Sequence, residues 1–106
     1  MRVITQNGDV DFPYERYTLC LHYKDRNCAL AYADGEEEGI PIGEYFCEED
    51  AKFAMLWVVS CYINESRSTA MPTAEQAAEM RTAYKEKRKE GEPLYKFLRR
   101  VSLWSK

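Results

Sequence analysis

Histidine and cysteine are the side chains of this 106-residue chain that could act as nucleophile, general base or metal ligand. His22 is the single histidine, and no motif pairs it with a Ser or Cys nucleophile. The four cysteines, Cys20, Cys28, Cys47 and Cys61, contain no CxxC pair. A zinc site made of Cys20, His22 and Cys28 would need a strand register other than the one predicted below. We therefore predict a non-enzymatic protein with reduced thiols and without a metal or cofactor.

Charge divides the chain into two opposed parts. Residues 1–66 hold 13 Asp or Glu against 5 Lys or Arg, and residues 67–106 hold 5 against 10. The formal net charge of −3 therefore hides one acidic and one basic region. Such regions attract each other within one molecule or recruit oppositely charged partners.

The acidic region contains seven carboxylates that could form one negative face. Such a face would mimic nucleic acid and occupy a basic groove of a partner protein. The simpler reading of the run between Gly35 and Gly39 is a solvated turn, because it lacks the ligand spacing of a calcium-binding loop. The predicted face consists of Asp34, Glu36, Glu37, Glu38, Glu44, Glu48 and Glu49.

The basic region offers seven cations that could contact the phosphates of a nucleic acid or a small nucleotide. Interleaved glutamates weaken its positive field, so a solvated helix face, or pairing with the acidic region, is the alternative. These candidates are Lys85, Lys87, Arg88, Lys89, Lys96, Arg99 and Arg100, with Tyr95 and Trp104 nearby.

The residues that carry these charges must be positioned by strands and helices. Strand patterns over residues 2–46 predict one antiparallel sheet of four or five strands. Asn7-Gly8 predicts a type I′ turn. Residues 17–23 alternate as a strand, and a four-residue loop at 24–27 would place Tyr23 opposite Cys28, with Leu19 and Leu21 on the core face beside Leu30. A last strand, 40–46, carries Pro41 and should lie at a sheet edge.

Helix patterns follow the strands. Acidic residues open a helix over 48–64 that is apolar nearly all round, so the C-terminal segments or a second copy must cover its second face. Phe53 and Trp57, one turn apart, are candidates for an aromatic anchor or interface, with burial under the C-terminal helices as the alternative. Residues 66–72 read as a hinge. A capping box at Thr73 and Gln76 opens a second helix, and a third begins near Pro93 with Leu94, Phe97, Leu98 and Val101 on its apolar side and Trp104 as a possible extension.

These patterns predict an α+β fold in a single domain, 1–106, with a sheet, one long helix packed on it and two C-terminal helices. No apolar run approaches the roughly 20 residues that cross a bilayer, and no signal peptide is evident. We expect a cytoplasmic protein that does not bind a membrane.

The segment Met1-Arg2-Val3-Ile4-Thr5-Gln6-Asn7-Gly8, followed by Pro13-Tyr14-Glu15, resembles the opening of short proteins of phages and prophages of Gram-positive, chiefly clostridial, bacteria. In that group a strand ending in Tyr leads into a helix with two early acidic residues, a Met and a late Tyr, similar to Tyr45, Glu48, Glu49, Met55 and Tyr62. The similarity spans roughly residues 1–62. It departs at Phe53, Leu56, Trp57 and Val59, where the group's helix carries charges.

The resemblance implies a small phage accessory protein. Such proteins often bind host factors, including components of CRISPR or nucleotide-signalling defences. Our hypothesis is a protein that binds and inhibits a host defence protein through charge complementarity and an aromatic anchor. Two alternatives stay open: an oligomer that sequesters a small nucleotide, and a nucleic-acid-binding protein that uses the basic helices.

Overall fold

A computed structural model describes residues 1–22 and 27–101, and the side chains of residues 98, 99 and 101 lie outside this description. The predicted α+β class is confirmed. The elements are β1 (Arg2–Ile4), β2 (Asp11–Pro13), a 3₁₀ turn (Tyr14–Arg16), β3 (Tyr17–His22), β4 (Asn27–Ala33), β5 (Ile40–Tyr45), α1 (Glu48–Ile63), β6 (Ser68–Ala70), α2 (Ala74–Lys87) and α3 (Leu94–Val101). None of the helices in these ranges is both long and apolar enough to cross a bilayer.

The strands form two sheets rather than the single sheet predicted. One sheet has the order β2-β1-β6 and the other β3-β4-β5. The predicted hinge at 66–72 contains β6, which pairs with β1 in parallel and places Val3 opposite Thr69. Parallel strands need a long crossover between them, and α1 lies within the connection from β1 to β6.

Gln6 joins the two sheets. Its backbone N–H donates to the Ile42 carbonyl at 2.8 Å, and its side-chain oxygen accepts from the Glu44 N–H at 2.9 Å. Its amide nitrogen donates to the carbonyls of Glu44 at 3.1 Å and Pro72 at 3.0 Å. One side chain therefore occupies the outer edge of β5.

The turn after β1 is not of type I′, which requires positive φ at both central residues. Gly8 has φ +78°, whereas Asn7 is not among the residues with positive φ. The Gly8 N–H donates to the Thr5 carbonyl at 2.8 Å, and the Thr5 N–H to the Val10 carbonyl at 2.9 Å. The Thr5 hydroxyl also donates to Asp9 at 2.9 Å, so a longer loop replaces the predicted tight turn.

The register of β3 and β4 differs by one residue from the prediction. His22 lies opposite Cys28, and Leu19 and Leu21 lie opposite Ala31 and Ala29. Both alanines are buried in the core, whereas Leu30 is only partly buried. The predicted partner Tyr23 lies outside the described residues. A slip of one residue exchanges the two faces of a strand, so the alanines and not Leu30 face the core.

Small residues on α1 and on β4 explain why this register forms. α1 packs on the β3-β4-β5 sheet through Ala51, Ala54 and Val58, in one core cluster with Ala29 and Ala31. Short side chains let the helix backbone approach the sheet closely, and the apolar contacts are made at short range.

The helices begin where the sequence predicts. α1 opens with three acidic residues, and α2 is capped by Thr73 and Gln76, whose side chains each accept the other's backbone N–H, at 3.1 and 2.9 Å. α2 and α3 fold back on α1 through a second cluster of Met80, Leu94 and Phe97. The expected contributions of Leu98, Val101 and Trp104 fall outside the described side chains.

Candidate interaction surfaces

The opposed charges of the two regions meet between α1 and α2. The Arg81 Nε donates to Asp50 at 2.6 Å, and the Asp50 residue is only 1% exposed. Lys85 forms an ion pair with Glu49, and this hydrogen bond lowers the pKa of the Glu49 carboxyl. The hydrogen bond to Asp50 raises the pKa of Arg81. Part of each charged set is therefore used inside the fold.

The seven predicted carboxylates do not form one face. Residues 34–38 precede β5, whereas Glu48 and Glu49 follow it, and a six-residue strand separates its two ends by about 20 Å. Glu48 forms an ion pair with Lys52 at 3.3 Å. Glu44 lies exposed on β5, where Gln6 binds its backbone.

The remaining four carboxylates form a compact feature that we call the acidic turn: Asp34, Glu36, Glu37 and Glu38. All four are exposed, and the structure gives them no ion pair within residues 1–22 and 27–101. Gly35 supplies the positive φ of +81°, and the Glu36 N–H donates to the Ala33 carbonyl at 3.1 Å. Gly39 closes the turn against the Tyr32 ring, where an added Cβ would lie 2.7 Å from a ring carbon.

The basic residues are exposed but only partly available. Arg100 donates to Glu92 at 2.8 and 3.0 Å and to the Lys87 carbonyl at 3.0 Å, and this pairing lowers the pKa of Glu92 to about 2. The Arg88 guanidinium lies 5.3 Å from the centre of the Tyr84 ring. Lys87, Lys89 and Lys96 are exposed, and Lys87 and Lys89 each have an acidic neighbour in the chain, Glu86 and Glu90 respectively. The side chain of the seventh candidate, Arg99, lies outside the description.

Phe53 and Trp57 are partly buried on the side of α1 that faces α2 and α3. The Phe53 ring lies 5.6 Å from the Tyr84 ring, and the Trp57 indole N–H donates to the Thr69 hydroxyl at 3.0 Å. Both pack against the cluster formed by α2 and α3. Their placement is closer to the alternative of burial beneath the C-terminal helices, but both side chains keep some exposed surface, and Trp57 also lines a groove beside β6.

Another face of α1 is apolar and exposed. Leu56, Val59, Tyr62 and Ile63 are 45%, 38%, 45% and 47% exposed. Their spacing puts them along one side of the helix, and we call them the α1 stripe. Single exposed apolar residues are common, but four neighbours on one helix face make this face a candidate interaction surface.

A groove of about 420 Å³ runs between the α1 stripe and β3. Tyr14, Tyr17 and Leu19 line one wall, and Met55, Val59 and Tyr62 line the other, with Glu15 also in the lining. The Tyr14 and Tyr62 rings lie 5.1 Å apart. We call this the tyrosine groove. Sequence reasoning missed it, because its walls are distant in the chain: the sequence named several of its residues separately, but nothing in the sequence showed that they lie together.

The observed register brings Cys20, His22 and Cys28 to one face of the sheet, contrary to the prediction for Cys28. Cys20 and His22 are exposed and Cys28 is buried. In the described part of the chain no three His, Cys, Asp or Glu residues are arranged to hold a metal ion. Cys61 is buried and contacts the Thr69 hydroxyl at 3.5 Å, and burial raises the pKa of its thiol.

Comparisons with protein-family models, curated proteins and solved structures find no match for this chain. The resemblance of the N-terminal motif to phage and prophage proteins therefore stays a prediction.

Proposed function

We propose that this chain is a non-enzymatic binding protein of a phage or prophage that inhibits a host protein in the bacterial cytoplasm. The acidic turn is the observation that carries the proposal. Its four carboxylates are exposed, have no ion pair within the described residues and are concentrated within residues 34–38, whereas Asp11, Glu15, Glu48, Glu49, Asp50 and Glu92 are each paired with a cation. Concentrated negative charge of this kind favours a basic surface on a partner.

The backbone of the turn supports this role. It is held between β4 and β5 by the Glu36 N–H bond and by the packing of Gly39 on Tyr32. A feature that is ordered before binding loses less conformational entropy when a partner engages it. The carboxylates thus occupy a small region with little freedom to disperse.

Nucleic-acid-binding proteins are the partner class that this charge fits best. They hold phosphates with Lys and Arg in basic grooves, and a row of carboxylates can occupy such a groove. A host defence protein with a nucleic-acid groove is therefore the proposed target. The basic residues of this chain give weaker support for direct binding of nucleic acid or a nucleotide, because Lys85 and Arg100 are already paired with carboxylates.

A comparison of three tagged proteins tests the proposal in a clostridial lysate. The turn variant carries Asp34→Asn, Glu36→Gln, Glu37→Gln and Glu38→Gln. The matched control removes four exposed carboxylates elsewhere, through Glu75→Gln, Glu79→Gln, Glu86→Gln and Glu90→Gln.

We expect a host protein that is retained by the wild type and the control and lost by the turn variant. Its affinity should fall as salt is added, because exposed charges are screened. Equal capture by all three proteins, or affinity for nucleic acid in place of protein, would contradict the proposal.

A further inference from the structure

The two sheets differ in how their edges are protected. Pro13 removes an outward N–H from β2, and Asp11 on the same strand is paired with Arg2 at 2.8 Å. Gln6 covers the edge of β5, and β6 is three residues long. The edge of β3 is six residues long and has no neighbouring strand in the described structure.

The backbone of β3 offers hydrogen-bonding groups at this edge. The Tyr17 N–H donates to the Tyr14 carbonyl and so points away from β4. Because these groups alternate along a strand, the N–H and C=O of Leu19 and Leu21 also point outwards. The pairing of β4 with β5 supports the same directions. Leu30 lies opposite Pro41, which has no N–H, so the backbone of Leu30 bonds to Cys20 on β3. The backbone groups of Cys20 therefore point towards β4, and those of its neighbours Leu19 and Leu21 point away from it.

Apolar surface lies directly beside the open edge. The tyrosine groove has Tyr17 and Leu19 of β3 on one side and Met55, Val59 and Tyr62 of α1 on the other. α2 and α3 pack on a different face of α1, at Phe53 and Trp57. A strand added to β3 would therefore extend the sheet below the groove, and whatever follows that strand would meet the α1 stripe.

We infer that a second copy of this chain occupies this surface, with the two β3 strands paired antiparallel about a twofold axis. The inference goes beyond the proposed function and uses different residues from the acidic turn. The paired sheets form one sheet of six strands. A twofold axis perpendicular to it keeps both α1 helices on the same side, so each α1 stripe meets the other.

The chemistry of β3 favours its own copy as the occupant. Residues 17–22 contain no Lys, Arg, Asp or Glu, so identical strands do not repel each other, and charged residues are what usually protects such an edge. The Tyr17 N–H is used by the Tyr14 carbonyl, so the outward N–H and C=O groups of Leu19 and Leu21 are the ones that can pair, and twofold pairing places them opposite outward groups of the other copy. A second copy also brings a second α1 stripe, which gives the first an apolar surface to contact.

With the twofold axis near the middle of β3, the symmetry allows two registers. Opposed residues point to the same face, so either Cys20 faces Cys20 of the other copy, or Leu19 faces Leu19. In the first case the two Cys20 Cα atoms are about 4.5 Å apart, and in the second the cysteines are diagonal neighbours at about 7–8 Å. Cys20 is exposed in the single chain, so both arrangements bring two accessible thiols close together.

Native mass spectrometry of the purified wild-type chain gives the first result. We expect a species of twice the chain mass of 12.4 kDa. A short bis-maleimide should join two wild-type chains through Cys20, and Cys20→Ser should prevent this while the protein stays a dimer. A protein that remains monomeric at the highest soluble concentration overturns the inference. The α1 stripe would then be covered by another protein or by another segment of the chain, and not by a second copy.

Two matched substitutions test where the contact lies. Val59→Glu places a carboxylate in the tyrosine groove, and Phe46→Glu makes the same change at an apolar residue that is 65% exposed outside the groove and the stripe. We expect Val59→Glu to raise the dissociation constant of the dimer at least tenfold and Phe46→Glu to leave it unchanged. Cys20→Lys on the outer face should weaken the dimer as well, because in either register it brings two like charges close together across the interface.

Circular dichroism must show that each variant remains folded. If Val59→Glu proves unfolded, Cys20→Lys decides, since its side chain is exposed in the single chain. The proposed interface is overturned if the dimer tolerates Cys20→Lys. It is also overturned if Phe46→Glu dissociates the dimer as readily as Val59→Glu does. Loss of the dimer does not alter the acidic turn, so this result and the capture of a host protein are separate tests.

Discussion

Gln6 shows how much a single residue contributes to this architecture. We predict that Gln6→Ala lowers the free energy of unfolding by about 1–2 kcal/mol, because three side-chain hydrogen bonds to Glu44 and Pro72 are lost, although the Pro72 carbonyl keeps the hydrogen bond from the Tyr45 hydroxyl. Urea unfolding followed by circular dichroism measures the change. Asn7→Ala, at the exposed neighbouring position, is the control and should change stability by less than about 0.5 kcal/mol. Equal effects of the two substitutions would show that Gln6 does not join the sheets.

The role of Gln6 could not be read from the sequence. Its partners lie 38 and 66 residues away, and nothing local distinguishes it from a polar residue before a turn. The acidic turn could be predicted, because two glycines around a run of carboxylates are a local signal. Phe53 and Trp57 show the limit of such reasoning, since the spacing of two aromatics does not reveal which neighbour covers them.

At the scale of elements, the contact between α1 and its sheet depends on small side chains. We predict that Ala54→Leu lowers the free energy of unfolding by about 1–3 kcal/mol, because Ala54 is completely buried beside Ala29 and Ala31 and extra methylene groups force the helix away. Thermal unfolding measures the change. Ala78→Leu in α2, at a half-buried position, makes the same replacement in a helix and should have little effect. Similar losses from both would argue against close packing at this contact.

The elements differ in how well local signals define them. The start of α1 and the capping box of α2 were predicted correctly, because the residues that stabilise a helix end are adjacent in the chain. β6 was read as a hinge, because its three residues become a strand only by pairing with β1. The register of β3 and β4 was wrong by one residue, because the bulky Leu30 looked like a core residue until α1 required alanines there.

At the scale of the whole molecule, ion pairs connect separate segments of the fold, and those between α1 and α2 also join the acidic region to the basic one. Arg2 pairs with Asp11 across β1 and β2, and the N-terminal amino group pairs with Glu15 at 2.6 Å. Lys85 pairs with Glu49 between α2 and α1, and Arg100 of α3 pairs with Glu92. In these four pairs the hydrogen-bonded cation lowers the pKa of the carboxyl partner, most strongly that of Glu92.

These pairs predict that acid destabilises the fold over a defined range of pH. Glu92 has a pKa of about 2 in the folded chain and an ordinary value of 4.5, so above pH 4.5 the carboxylate is ionised in both states and its contribution to stability is complete. As the pH falls from 4.5 towards 2, the unfolded chain binds a proton that the folded chain does not, and the contribution is lost. The midpoint of thermal unfolding should therefore fall across this range. Glu92→Gln should reduce that dependence, while Glu90→Gln, at an exposed position without an ion pair in the described residues, should leave it unchanged. A midpoint that stays constant between pH 5 and pH 2, or equal slopes for the two variants, would show that the pairing of Glu92 with Arg100 does not contribute to the stability of the fold.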